Sequence, residues 1–361
     1  MPWSDSLLRK VELNLGVQLP NIEQAFVRSE EAMDQLREVV GTALPDEVSF
    51  VAFGSLARKE YTSGSDLDWA LVIDGRADSS HRELELDLKR RLTDCGKFKD
   101  PNPAGAFGAL VFSHELIHCI GGAGDTNANL TRRMLLLLES TDTNHLLPLA
   151  PRQRVMRGIL ERYFEEEAHF PGKPFFPRFF LNDVVRLWRT IAVDYAAKNA
   201  ERGHEKWALR NAKLRFSRKL LFAAGLLLAF ETSLFPDSEL IASAPSTFDP
   251  DHPALSSTEH CYRAAQLTPL DLIARASMSP ATGMDSQQVR RLFEAYDVFL
   301  GILDSEGIRV KLAKLSYEEA IREKVFENMR EVGHQFQDAL NSLFMNPDSE
   351  LGKLTLKYAI F

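Results

Sequence analysis

Apolar side chains recur every third or fourth position between residues 20 and 40. Ile22, Phe26, Met33, Leu36 and Val40 share one face, which predicts a helix starting at Pro20-Asn21. The period then shortens. "EVSFVAF" (residues 47–53) reads as a buried strand ending at Gly54, and "LDWALVI" (67–73) as a second strand closed by the Asp74-Gly75 turn. "HRELELDLKRRLTD" returns to helical spacing, with Leu84, Leu88 and Leu92 in register. "PNPAGAFG" reads as a loop and "ALVFSHELIHCI" (109–120) as a third strand, broken by Gly121, Gly122 and Gly124. "NANLTRRMLLLLES" reads as a helix. Strands and helices alternate up to about residue 150, the pattern of a small α/β unit.

After Pro151 only helical periods remain. "FLNDVVRLWRTIAVDYAAK" carries a stripe of Leu181, Val184, Trp188, Ile191 and Tyr195. "WALRNAKLRFSRKLLFAAGLLLAF" starts charged and ends apolar, and residues 286–304 and 317–344 form two more amphipathic segments. A polar, Pro-rich connection, 235–257, interrupts them. The expected division is an α/β domain over 1–150 and a helical bundle over 151–361.

The stretch "FGSLARKEYTSGSDLDWALVID" (53–74) disturbs this pattern. Asp66 and Asp68 stand one residue apart where a strand begins to bury itself. Alternate strand residues point to one face, roughly 7 Å apart, so two carboxylates there repel unless a cation lies between them. Magnesium takes a few carboxylates together with phosphate oxygens and water. Gly54-Ser55 ends one strand and opens a short helix, where unpaired backbone N–H groups attract phosphate and a glycine permits close approach.

These residues resemble a known family. Gly54-Ser55, an eleven-residue step from Gly54 to Ser65, and then Asp66-Leu67-Asp68 entering a strand are similar to the DNA polymerase β-type nucleotidyltransferase superfamily. Arg58-Lys59-Glu60 before Ser65-Asp66-Leu67-Asp68 resembles the signal-protein uridylyltransferases and glutamine synthetase adenylyltransferases, which carry Arg-x-Glu before Ser-Asp-x-Asp. "DTNANLTRRMLLLLES" (125–140) resembles the helix after the catalytic sheet in those uridylyltransferases. The likeness covers about residues 45–145. The sensor uridylyltransferases add a hydrolase with a His-Asp pair, and no His-Asp dipeptide occurs here. A stand-alone transferase is expected, and the superfamily also includes toxin–antitoxin and antiphage nucleotidyltransferases.

The resemblance implies a polymerase β-like α/β nucleotidyltransferase domain whose cleft is closed by the helical half. It implies transfer of a nucleoside monophosphate from a nucleoside triphosphate to a hydroxyl, with release of pyrophosphate. Asp66 and Asp68 would hold two Mg2+ ions, or Mn2+, with a third carboxylate from a later strand. Glu115 is the candidate, and the alternative, Asp125, suits a helix N-cap. Gly54, Ser55 and Ser65 belong to the phosphate loop. Arg58 either touches phosphate or pairs with Glu60. In "RNAKLRFSRKL", Lys213 and Ser217 are four apart on one face, and related enzymes use such a Lys and hydroxyl on the triphosphate. The alternative is a solvated basic face. Asn182, Arg186 and Arg189 form another polar stripe facing cleft or solvent, and Trp188 and Trp207 suit the core.

The acceptor stays open: a protein hydroxyl, a nucleic-acid or nucleotide end, or none, in a silent binding module. The tail "ELGKLTLKYAIF" offers Tyr358 as a self-acceptor. A net charge of −8 argues against a bulk nucleic-acid coat. Cys95, Cys119 and Cys261 are odd in number and lack metal or disulfide spacing, so a reducing cytoplasm is expected. No basic-then-apolar leader opens "MPWSDSLLRKVELNLG". "LLFAAGLLLAF" is too short to span a bilayer, so no membrane association is expected. Homo-oligomerisation is compatible with all of this.

Overall fold

The computed structural model describes residues 2–41, 44–99, 108–143, 150–168, 177–201, 206–235 and 253–359. Most of the expected loop at 101–108 and of the Pro-rich connection at 235–257 lies outside them.

The strands are β1 (Val48–Phe53), β2 (Asp68–Ile73), β3 (Leu110–Phe112) and β4 (Ser140–Asp142). They form one mixed sheet in the order β3-β2-β1-β4. β1 runs antiparallel to β2 and to β4, and β2 parallel to β3. The helices of this half are α1 (Leu7–Leu15), α2 (Pro20–Val40), α3 (Gly54–Ala57), α4 (Ser79–Cys95), α5 (Ser113–Ile117) and α6 (Asn127–Leu138). The expected third strand is only three residues long. Its continuation, Ser113–Ile117, turns helical.

The rest is helical among the described residues: α7 (Pro151–Ala168), α8 (Arg178–Glu201), α9 (Trp207–Lys213), α10 (Lys219–Leu234), α11 (Pro253–Ala264), α12 (Pro269–Ser277), α13 (Ser286–Asp304), α14 (Glu306–Lys314), α15 (Tyr317–Ala320), α16 (Lys324–Phe344) and α17 (Glu350–Tyr358). A π-helical turn, Leu214–Arg218, joins α9 to α10. No helix among the described residues is long and apolar enough to cross a membrane. α10 is apolar all round because it is buried on nearly every side.

Strand alternation sends side chains to two faces. Phe50, Ala52, Trp69 and Leu71 meet Met33 and Leu36 of α2 and Leu88 and Leu92 of α4. Val51, Phe53, Ala70 and Val72 face the other way. They join a larger core that runs through α6, α7, α10, α13 and α16 and also takes in Leu8 and Val11 of α1. This core crosses residue 150 without a break, so the sheet and the bundle share one interior.

The N-terminus of α2 is held from the far end of the chain. Asp297 of α13 accepts from the backbone N–H groups of Asn21 and Ile22, each at 2.9 Å. A side chain from another helix thus satisfies donors a helix start leaves unpaired. It also sets the rotation of α13, whose Tyr296, Leu300 and Asp304 then meet the loop after β1.

Candidate active site

β1 ends where Gly54 takes φ +67° and α3 begins. A Cβ at Gly54 would lie 2.8 Å from Oδ2 of Asp68. Position 54 therefore requires glycine twice, for a left-handed backbone and for the carboxylate lying against it. Asp68 opens β2 directly opposite Phe53, so strand register brings the Gly-Ser turn and the acid together. Asp66, two residues earlier, is exposed just before the strand, and Leu67 between them is buried.

Gly54, Ser55, Ser65, Asp66 and Asp68 line one cleft. Its opposite wall comes from the helical half: Lys213 at the end of α9, Ser217 and Arg218 on the π-helical turn, Leu300 and Leu303 on α13, and Arg309 on α14. π-helical turns inside longer helices are frequent at functional sites because the extra residue re-aims neighbouring side chains. Here the turn directs Ser217 and Arg218 to the same cleft as Lys213.

The charges are unevenly matched. Burial first, then Asp66 and Glu139, push the Asp68 carboxyl up to about 6, while Arg218 and Lys213 pull it back. Desolvation in the cleft lowers the Lys213 ammonium below its ordinary value; Asp66 opposes this, and Arg218, Arg309 and Arg58 add to it. Burial thus makes both an acid and a base of the cleft harder to charge than in water, and the opposite charges across it offset this only in part. A cation near Asp68 and a polyanion near Lys213 would relieve both.

Arg58 is buried and fully engaged. It donates to Glu60 at 2.9 Å and to Glu139. Burial pulls its guanidinium down, but these two carboxylates outweigh that and hold it above its ordinary value. Glu60 also accepts from Tyr296 Oη at 2.8 Å, and Tyr296 has Ser217 as a further side-chain partner. Arg58 therefore takes the Glu60 alternative, with its edge only at the cleft. The Ser217 hydroxyl is tied to Tyr296. Ser65 Oγ accepts from the Thr62 N–H at 3.1 Å, which shapes the turn. Lys59 faces away, 4.2 Å from the Phe26 ring and 3.2 Å from Glu30.

Glu115 is not brought into the cleft. β3 runs parallel to β2 and pairs Phe112 with Ile73, so the chain leaves β3 at the end of β2 opposite Asp68, about 17 Å along the strand. Glu115 lies beyond that on α5, 47% exposed and 4.0 Å from Arg132. Asp125 is not in the cleft either. It pairs with Arg133 and Arg186, and the N-cap of α6 is Thr126. Arg186, on the polar stripe of α8, is thus a structural partner. Glu139, between α6 and β4, adds its charge to that felt by Asp68; it binds Arg58 and lies 3.5 Å from Arg218. Tyr358, on α17, does not line the cleft.

Residues 18–102 match the family described as "Putative nucleotidyltransferase DUF294". The match is distant. It reaches the broad nucleotidyltransferase superfamily and no finer. It spans α2, β1, the Gly54-Ser55 turn, both aspartates and α4, and leaves the helical wall of the cleft outside. No curated protein matches the chain.

Among the described residues no group of three or more His, Cys, Asp or Glu side chains is placed to hold a metal ion. Two carboxylates suffice for magnesium only if phosphate oxygens and water complete its six positions. Asp66 and Asp68 fit that case, since both line the cleft and burial beside Asp66 makes Asp68 costly to ionise without a cation. Arg218, Arg309 and Glu139 were not expected from sequence. Arg218 lies within the charge-dense run at 210–220. Glu139 interrupts an apolar run, and an acid there signals a buried partner. Arg309 gave no signal. Its guanidinium rests on Gly64, where a Cβ would meet Nη1 at 1.0 Å.

Gly54→Ala tests the close approach. The left-handed backbone costs an ordinary residue about 1–2 kcal/mol, and the methyl must displace the Asp68 carboxylate. The expected result is a lower melting temperature together with loss of any reaction that uses Asp68. A variant that melts lower but keeps full activity would show that the Asp68 position does not matter.

Proposed function

We propose that the chain is a metal-dependent nucleotidyltransferase, moving a nucleoside monophosphate from a nucleoside triphosphate to a hydroxyl and releasing pyrophosphate. One observation carries this reading: Asp66 and Asp68 face Lys213, Arg218 and Arg309 across a single cleft that also contains the Gly54-Ser55 turn. Acids on one wall and cations on the other suit a metal–polyphosphate pair better than either ion alone. The distant match to the nucleotidyltransferase superfamily covers the acidic wall.

In this reading Asp66 and Asp68 would hold a divalent cation, magnesium first and manganese as the alternative, whose chemistry is to lower the pKa of the attacking hydroxyl and neutralise the leaving pyrophosphate. Lys213, Arg218 and Arg309 bind the triphosphate. Gly54 leaves room for the Asp68 carboxylate, and the Arg58–Glu60–Glu139 cluster holds the turn rigid beneath it. Glu139 lies close enough to add to the negative charge on Asp68, but its own oxygens are engaged by Arg58 and Arg218. The cleft encloses only about 60 Å3, so Arg309 must swing off Gly64 to admit a nucleotide.

The acceptor is a protein hydroxyl or the end of a nucleic acid or nucleotide. Tyr358 lies outside the cleft lining, so transfer onto it would run between two copies of the chain and rise with protein concentration.

Incubation with each labelled nucleoside triphosphate and magnesium tests the reading. The expected outcome is a labelled protein or oligonucleotide that is absent without the metal. Lys213→Ala should raise the nucleotide concentration needed by at least about tenfold, the size of one lost charge-assisted contact, with the melting temperature nearly unchanged. Nucleotide binding without transfer would reduce the chain to a regulatory binding module. Absence of binding removes the proposal.

A further inference from the structure

A second cavity lies on the other side of the helical run 207–234. It encloses about 330 Å3 and has walls from α8, α10, α16 and α17. That is the small end of the range for ligand pockets, about 300–1,000 Å3. The lining is apolar: Trp188 stacks on Phe222 with centroids 5.5 Å apart, and Leu226, Leu340 and Phe344 add to it. Such a slot by itself would take any small apolar molecule.

Its one charged lining residue among those described is Lys219. The Lys219 ammonium donates to the amide oxygen of Gln337, and Gln337 in turn donates to Asn341 at 2.8 Å. Arg215, one turn earlier, donates to the neutral amide of Asn211 at 2.7 Å. Two cations thus lie close together with neutral amides as partners. Desolvation, and then Arg215, lower the Lys219 ammonium from its ordinary value. No acidic residue lines the cavity among the described residues. A half-buried ammonium in an apolar slot, next to a second cation, has no acidic partner among the described residues.

We propose that this cavity binds a small amphipathic carboxylate of the medium-chain fatty acid class. The carboxylate sits on Lys219 beside the Asn341 amide, and the alkyl chain lies against Trp188, Phe222 and Leu340. A single ammonium flanked by amides matches one monovalent headgroup. Of the other lining residues described, Thr355 spends its hydroxyl on the Leu351 carbonyl at 2.8 Å and the rest are apolar, which leaves little for a phosphate's additional charge and oxygens. Lys219 directly follows Arg218 of the cleft, so the two sites lie back to back on one continuous helical run. The proposal does not depend on the reaction assigned to the cleft.

Calorimetric titration of the full chain with octanoate and, separately, with octanol decides it. The expected result is saturable binding of one octanoate per chain, at least about tenfold tighter than octanol, the difference one charge-assisted hydrogen bond makes. Lys219→Met should erase that preference by weakening octanoate, with octanol unchanged. The wild-type comparison stands without the variant. Non-saturable octanoate binding, equal affinities for the two ligands, or a preference that survives in Lys219→Met would each overturn the proposal.

Discussion

Asp68→Asn is expected to abolish transfer and, in the metal-free chain at pH 8, to raise the melting temperature. The two effects have one cause. The Asp68 carboxyl is pushed up to about 6 by burial, Asp66 and Glu139, so holding it ionised costs the fold free energy. The sign follows from linkage. With a folded value above the unfolded one, the contribution of this group is fully favourable below about pH 4. It is lost as pH rises through about 6, amounting to at most about 3 kcal/mol. The amide keeps the shape and removes the charge. Thermal melts in chelator at pH 5 and pH 8 should therefore show the variant ahead by more at the higher pH, because about half of the loss falls between the two. Transfer should fall by at least about a thousandfold, as for loss of a group central to charge stabilisation. Asp66→Asn, at an exposed position, should lose transfer with little change in melting. An equal gap between Asp68→Asn and wild type at both pH values, or retained transfer, would refute the assignment of Asp68.

Arg58→Ala should lower stability by about 3–5 kcal/mol, the usual result of leaving buried carboxylates without their cation. The melting temperature should drop by on the order of 10 °C. Arg58 lies between Glu60 and Glu139, whose side chains are 2% and 1% exposed. Its removal leaves Glu60 without its cation and Glu139 with only Arg218 at 3.5 Å, both in the interior beneath the Gly54-Ser55 turn. An arginine that served only to grip phosphate would instead change the nucleotide requirement and alter stability by about 0.5 kcal/mol or less. Glu139→Gln placed on top of Arg58→Ala should recover part of the loss, because one of the stranded charges is gone. Unchanged melting in Arg58→Ala would return this residue to the phosphate contact.

The sequence alone was enough to reveal the acidic wall. Gly54, Ser55, Asp66 and Asp68 are close along the chain, and two short strands with antiparallel register bring them together. Their approach is a local consequence of period-two alternation and a glycine at positive φ. The helical character of the described residues past 150 was also legible, because most of these helices carry a 3.6-residue stripe and α10 is one continuous apolar run.

What lay beyond local reach was the direction in which the chain leaves a strand and the partners of buried charges. Glu115 follows an apolar run that reads as a strand, but parallel pairing of β3 with β2 carries it to the end of the sheet away from Asp68. Arg58 could be read as a phosphate contact or a pair to Glu60. Only packing of α13 and of the α6–β4 junction around it supplied Tyr296 and Glu139 and decided between the two. Lys213 and Ser217 share a helix face by spacing, but a π-helical turn and α13 determined that Lys213 stays open to the cleft while Ser217 is bound by Tyr296. Arg309 reaches Gly64 from α14, 245 positions along the chain from it. Periodicity records which face of an element is buried, whereas the identity of the group that meets it comes from long-range packing, and one sequence read in order carries no trace of that.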